Sequence, residues 1–202
     1  DDVVKYISEC RDLPKYIPRL NDGIEVLPPD INESGWKFTA VGDTQIRFGL
    51  GAVRGVGSNA AQSILIARKD GHFGTMFDFL ERVDLRALNK RSVEALIAAG
   101  ALDSFGHRSQ LLEGLETAYS EISARRSEAA AGQGSLFDIS GVSIARIDPG
   151  LPETPEWPEQ ERLKKEKEAL GFFISGHPLE QHRDLVMAFN SLNSSNLKDY
   201  IG

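Results

Sequence analysis

A glycine-rich turn is the part of this sequence whose residue types and spacing are best suited to chemistry. Between residues 51 and 61 glycines alternate with apolar residues, and an amphipathic segment follows at once. A tight turn would deliver the chain to a helix start whose first amides have no partner inside the helix. Such amides, with the helix dipole behind them, can hold a phosphate oxygen, and the missing β-carbons let a sugar-phosphate backbone approach closely. Because only backbone is contacted, binding would not depend on base sequence.

The candidate binding residues of this first turn are Val53, Arg54, Gly55, Val56, Gly57, Ser58 and Asn59. Arg54 would add positive charge, and so would Arg68 and Lys69 beyond the following helix. The spacing Gly55-x-Gly57-x-x-Ala60 also fits a loose dinucleotide-binding fingerprint, but the chain continues with helical periodicity where that fold needs a parallel strand. A turn that serves packing alone stays open as an alternative. A phosphate-loop lysine is missing, so nothing here favours binding of a nucleoside triphosphate.

A second, weaker version of this pattern occupies residues 88–97. Asn89 is a good helix cap, and Lys90 and Arg91 put two cations in the first turn, where the dipole disfavours them and a phosphate would compensate. A solvated helix start is the alternative. Two such turns separated by a short helix would let one duplex contact both across the minor groove.

A short peptide farther along the chain suggests a protein partner. Leu136 and Phe137 stand side by side in a small, polar segment, and adjacent exposed hydrophobic residues usually have something that covers them. Gln133 and Ser135 precede them, as in linear motifs whose polar residues bind at the mouth of a pocket that the apolar pair fills. The alternative is that the pair folds back on its own domain.

The composition excludes a wholly disordered protein and one that spans a membrane. The 202 residues are 41% hydrophobic and 26% charged, as in soluble proteins with an apolar core, and no apolar run approaches the roughly 18 residues that cross a bilayer. One cysteine and four histidines give no zinc-ligand pattern, and we find neither convergent carboxylates nor a nucleophile with a base.

The net charge is −7, but residues 45–110 carry nine Lys and Arg against six Asp and Glu. Only this middle third would attract a polyanion.

Hydrophobic periodicity indicates the elements that must position these residues. A short strand at 24–27 and alternation on both sides of Gly42 and Asp43 predict a small N-terminal antiparallel hairpin. Helical spacing then predicts helices from Ser58, around Phe77, up to a cap at Gly100, over 108–131 and from Pro158 to Gly171. Residues 129–158 lack periodicity and are typical of a surface tether. The opening residues have a helical pattern without an initiator Met, which predicts an excised fragment.

Several longer strings resemble one family, the alpha subunits of bacterial DNA polymerase III, which are C-family replicative polymerases. The strings are residues 24–32, 46–57, 77–79, 89–91, 99–103 and 170–179. The resemblance implies the end of the fingers, a tandem helix-hairpin-helix domain that grips duplex DNA, and the approach to an OB-fold. It also implies that Gln133, Ser135, Leu136 and Phe137 form the motif that binds the sliding clamp. The family's catalytic aspartates lie upstream, so we expect no catalytic residue, metal or other cofactor here, and magnesium only in the parent's catalytic domain.

We therefore expect a mainly α-helical α+β fragment that binds duplex DNA and the clamp in the cytoplasm, among other replisome subunits and without a membrane partner. It would support processive DNA synthesis by a nucleotidyltransferase parent while being inactive itself. The alternative is a replisome scaffold whose hairpins serve packing only. The expected divisions are the end of the fingers with short strands (1–44), the tandem hairpins with a long helix (45–131), a flexible tether with the clamp motif (132–158) and a helical connector to a truncated OB-fold (159–202).

Overall fold

The computed structural model describes residues 5, 9–10, 23–130 and 150–182. The expected clamp motif at Gln133, Ser135, Leu136 and Phe137 lies outside the described residues. The same holds for most of the expected opening helix, for most of the expected tether and for the residues after 182.

Three short strands form the N-terminal sheet: β1 (Glu25–Leu27), β2 (Thr39–Val41) and β3 (Gln45–Arg47). β2 and β3 make the predicted antiparallel hairpin, with Ala40 opposite Ile46 and a turn that holds Gly42 at a φ of 63°. β1 pairs with β3 in parallel and so makes β3 the central strand. The sequence predicted the strand but not this pairing, because a three-residue pattern does not identify its partner.

Among the described residues, five α-helices follow the sheet, and the sequence predicted each of them. They are α1 (Ser58–Ala67), α2 (Met76–Arg82), α3 (Lys90–Ala98), α4 (Arg108–Ala130) and α5 (Glu159–Leu170). Local signals explain where they begin and end. The Asn89 side chain accepts a hydrogen bond from the Ser92 amide at the start of α3, and Gly171 adopts a left-handed conformation just after α5. The expected mainly α-helical α+β fold is confirmed.

The apolar faces of these helices meet the segment after the sheet in one core. On α4 the buried hydrophobic residues are Leu111, Leu115, Ala118 and Ile122, at the helical spacing that the sequence indicated. Phe48 and Leu50, next to the first turn, are also fully buried in this core. The first turn is therefore built on a rigid base.

A buried ion pair joins the start of α4 to α5. The side chain of Arg108, at the start of α4, is 3% exposed, and its Nη1 lies 3.2 Å from Oε2 of the fully buried Glu166 on α5. A guanidinium nitrogen also lies 2.8 Å from an Asp103 oxygen, and Nη1 donates to the Ala98 carbonyl at the end of α3. Burial by itself lowers the pKa of Arg108, but the two carboxylates outweigh it, so that the pKa is raised.

The Glu166 carboxylate also accepts hydrogen bonds from the segment that follows α5. Its Oε1 accepts hydrogen bonds from the amides of Ile174 and Ser175, at 2.6 and 2.9 Å. Its Oε2 accepts one from the Ser175 hydroxyl at 2.6 Å. One carboxylate thus fixes α5, the start of α4 and residues 174–175 together.

The described end of the expected tether, residues 150–158, packs against the start of α4. Gln110 donates to the Pro152 carbonyl at 3.1 Å, and Leu151 lies against the core. The Glu156 carboxylate accepts hydrogen bonds from the amides of Arg108 and Ser109, at 3.1 and 3.4 Å, and so caps α4. Hydrophobic periodicity could not predict this, because one capping carboxylate and one leucine make the contacts.

Glu156 makes the stability of the chain depend on pH. Burial raises the pKa of its carboxyl, but bonds from the Trp157, Arg108 and Ser109 amides and the nearby His107 outweigh burial, so that the pKa is lowered. A lowered pKa in the folded state contributes stability above the unfolded value of about 4.3, and this is lost as the pH falls through the folded value. We expect Glu156→Gln to lower the free energy of unfolding by about 0.5–2 kcal/mol at pH 7, and by progressively less below pH 4. Urea unfolding between pH 7 and pH 3 measures the difference.

The matched control is Glu153→Gln, because Glu153 is exposed in the same segment and forms no hydrogen bond or ion pair with the described residues. The free energy of unfolding of this variant should stay within about 0.5 kcal/mol of that of the unmutated chain at every pH. An equal loss for Glu156→Gln at pH 7 and pH 3 would contradict the capping role of the ionised carboxylate.

Candidate nucleic-acid interface

The first turn is anchored by its two valines. Val53 and Val56 are 2% and 6% exposed, and the Val56 amide donates to the Val53 carbonyl at 3.1 Å. Gly55 lies between them with a φ of 84°, a conformation that L side chains rarely adopt. The structure thus places these two candidate residues in the core, where their side chains are not available to a ligand.

The start of α1 is open. Gly57 precedes it in extended conformation, no side chain caps it, and a β-carbon at Gly57 would meet nothing within 4 Å. Ser58 and Asn59 are exposed. Within the described part of the chain, the amides of Ser58, Asn59 and Ala60 have no acceptor. This is the geometry that an anion site at a helix start requires.

At the start of α3 only some of the first backbone amides have a hydrogen-bond acceptor. Asn89 accepts a hydrogen bond from the Ser92 amide at 3.0 Å, so the predicted cap is present. The amides of Lys90 and Arg91 have no acceptor among the described residues. The Lys90 ammonium pairs with Glu116 of α4, whereas the exposed Arg91 has no such partner in the described ranges. Arg91 is therefore the more available of the two cations.

A hydrogen bond links the two turns. The Ser92 hydroxyl donates to the Gly55 carbonyl at 2.9 Å, and a β-carbon at Gly55 would lie 3.7 Å from that of Ala95. The first turn thus rests directly on the first turns of α3. The sequence predicted two binding units but did not single out Ser92, because a serine inside a helical pattern has no distinctive spacing.

Arg54 contacts α5. Its amide donates to the Ala169 carbonyl at 2.9 Å, and its guanidinium reaches the Glu168 carbonyl at 3.4 Å. A β-carbon at Gly171 would lie 2.9 Å from the same guanidinium. A cation at the carboxyl end of a helix is favoured by the dipole. Arg54 therefore docks α5 against the first turn, a role that sequence reasoning missed.

Arg68 also serves packing. Its guanidinium donates to the carbonyls of Ile31 and Ser34, at 2.9 and 3.0 Å. Burial lowers its pKa, and the nearby carboxylates of Asp30 and Glu33 oppose that change. The charge that the sequence suggested for a ligand is used to join α1 to the segment after β1.

The described residues contain neither a metal-binding cluster nor a membrane-spanning helix. Across residues 23–130 and 150–182, no group of three or more His, Cys, Asp or Glu side chains could hold a metal ion. No helix within these ranges is long and apolar enough to span a membrane.

Comparison with known proteins identifies relatives of the chain. Residues 23–111 match a family model described as a helix-hairpin-helix motif. The chain is 41% identical over 200 residues to the DNA polymerase III subunit alpha of Neisseria meningitidis serogroup A, which covers 98% of this chain and 16% of that protein. Its identity to the protein of the same name from Vibrio cholerae is 36% over 191 residues, 94% of this chain and 16% of the relative.

A third relative, the DNA polymerase III subunit alpha of Thermus aquaticus, is 41% identical over 187 residues, 92% of this chain and 14% of that protein. The chain thus spans 14–16% of the length of these relatives and is homologous to one segment of them.

The two glycines of the first turn should respond differently to alanine. Gly55→Ala places a β-carbon on a left-handed residue and should lower the free energy of unfolding by about 1–2 kcal/mol. Gly57→Ala, at a φ of −75° and in open space, should change it by less than about 0.5 kcal/mol, because the poorer N-cap is offset by the smaller conformational freedom of alanine in the unfolded chain. Denaturant unfolding of both variants measures this. Equal losses would show that the start of α1 is not open as described.

Proposed function

Because the chain is homologous to DNA polymerase III alpha subunits over nearly its whole length, we propose that it is a segment of such a subunit and binds duplex DNA. Its two helix-hairpin-helix units hold the sugar-phosphate backbone through amides and therefore bind without sequence preference. The match of residues 23–111 to a helix-hairpin-helix model supports this proposal.

The observation that carries the proposal is the open start of α1 beside the start of α3. Free amides at Ser58 and Asn59 can donate to one phosphate, and those at Lys90 and Arg91 can donate to another. The Ser92–Gly55 hydrogen bond keeps the two starts in fixed relation. Both can then contact one duplex without rearrangement, so little ordering cost opposes binding.

Electrostatics sets the expected strength. The chain carries a net charge of −7, and Glu116 neutralises Lys90 in the free protein. We expect affinities of about 10⁻⁴ to 10⁻⁶ M at physiological salt, the range of non-specific contacts. In the parent subunit, contacts elsewhere would add to this affinity through effective concentration.

We further propose that Gln133, Ser135, Leu136 and Phe137 attach the parent subunit to the sliding clamp. The support is the sequence, in which two adjacent hydrophobic residues follow polar ones in a stretch without periodicity. Attachment to a ring that encircles DNA would support processive nucleotidyl transfer, performed with magnesium in the parent's catalytic domain, in the cytoplasm and with other replisome subunits. The segment itself supplies DNA and clamp contacts.

A scaffold in which the hairpins serve packing only is the second candidate function. The buried side chains of Val53 and Val56 and the docking of Arg54 on α5 favour it, since half of the first turn is used inside the protein. The two functions differ in one property, because the scaffold would bind the clamp but not DNA.

Fluorescence anisotropy with a duplex of arbitrary sequence, across a salt series, tests the DNA-binding proposal. Affinity should fall steeply with salt, and Arg91→Glu should weaken binding at least about tenfold while reducing the salt slope by at least about 1. Gly57→Ala should also weaken binding, because its methyl group occupies the space through which a phosphate approaches.

Lys69→Glu is the matched control, with the same change of charge on an exposed residue beyond the far end of α1. The sequence suggested that Lys69 adds charge to the first turn, but it lies about 18 Å from Gly57 along the helix, beyond the reach of unscreened charge. The variant should change the affinity by less than about threefold. If Arg91→Glu and Gly57→Ala bind as Lys69→Glu does, the helix starts are not the DNA surface and the scaffold function is favoured.

Replacing Leu136 and Phe137 together by alanine should abolish binding to a bacterial sliding clamp, because the two side chains supply most of the apolar contact. Surface plasmon resonance on immobilised clamp measures this. DNA affinity should not change, and Val142→Ala with Ile144→Ala provides an equally apolar control in the same stretch. Undiminished clamp binding would refute the motif, and loss of both activities would indicate misfolding.

A further inference from the structure

A groove of about 670 Å³ opens beside the two turns, between α3, α4 and α5. Its volume lies within the range of about 300–1,000 Å³ of sites that hold small ligands. A duplex, whose major groove alone is about 12 Å wide, is too broad to enter such a space. One or two unpaired nucleotides are of suitable size.

The groove is more cationic than the chain that contains it. Arg54, Lys90, Arg91 and Lys165 line it, together with three carboxylates, so its lining carries a net charge of +1 while the chain carries −7. Three different elements supply these cations: the first turn, the start of α3 and α5. Such convergence favours a phosphate-bearing ligand.

Trp157 gives the groove an aromatic surface. Trp157 is half-buried, and its backbone amide donates to the Glu156 carboxylate that caps α4, at 2.8 Å. The Lys165 ammonium lies 4.6 Å from the centre of the ring and 3.8 Å from a Glu161 oxygen. A base that stacked on the indole would release Lys165 to a phosphate. Aromatic rings bordered by cations are the usual platform for unpaired bases.

We propose that this groove binds an unpaired strand that continues from the end of the duplex held by the two turns. The inference rests on the proposed function, because Arg91 belongs to both surfaces and connects them. It assigns nucleic-acid contacts to Trp157 and Lys165, which lie on the polypeptide after the expected clamp motif. Base stacking and backbone charge make this site tolerant of sequence as well.

The test compares a blunt duplex with the same duplex carrying a three-nucleotide overhang, at the 5′ end or at the 3′ end, by fluorescence anisotropy. The unmutated chain should bind the duplex with one of the two overhangs at least about fivefold more tightly than the blunt duplex. Lys165→Glu and Trp157→Ala should remove this preference, and Trp157→Phe should restore part of it because a ring is kept.

Lys164→Glu is the matched control, because Lys164 is exposed on the same helix, changes the charge equally and does not line the groove. It should keep the overhang preference, and thermal unfolding checks that every variant is folded. Equal binding of blunt and overhanging duplexes, or equal effects of Lys164→Glu and Lys165→Glu, would overturn the inference. A loss of blunt-duplex binding in Arg91→Glu would still support the proposed function in that case, which keeps the two failures distinguishable.

Discussion

The Arg108–Glu166 ion pair is the constraint on which the arrangement of the helices depends. Both side chains are withdrawn from water, so each charge must be compensated inside the protein. Glu166 meets this requirement with two amides and a hydroxyl besides the guanidinium, and Arg108 with Asp103 and a carbonyl. Removing one member of such a pair leaves a buried charge without a partner, which typically costs about 3–5 kcal/mol. The pair therefore admits only one position of α5.

That position of α5 determines the candidate DNA surface. Glu166 fixes the helix on the side of α4, while Arg54 holds its carboxyl end through the carbonyls of Glu168 and Ala169. Lys165, one residue before Glu166, lines the groove and lies over Trp157. The groove is thus a consequence of packing α5 between the start of α4, which its Glu166 contacts, and the first turn. Neither turn alone would form it.

Local features of the sequence predicted much of this fold, and nonlocal ones were not predictable. Apolar spacing and caps located the five α-helices of residues 58–130 and 159–170, because such signals act within one or two turns of chain. The sequence did not predict that the side chains of Val53 and Val56 lie in the core. A glycine-rich pattern identifies a turn but does not say which of its residues point inward. The parallel pairing of β1 and the cap by Glu156 join segments 20 and 48 residues apart, and no local pattern encodes them.

Internal use of carboxylates explains how an acidic chain can present a surface for a polyanion. Glu156 and Glu166 are engaged with protein donors, so their charge is offset locally and contributes little to the field at the turns. Glu116 instead lies near the candidate surface and weakens it by pairing with Lys90. Weak, backbone-directed binding fits the proposed role, because tight or base-specific contacts would resist movement along DNA. The same chemistry that limits the affinity is therefore consistent with the proposed role.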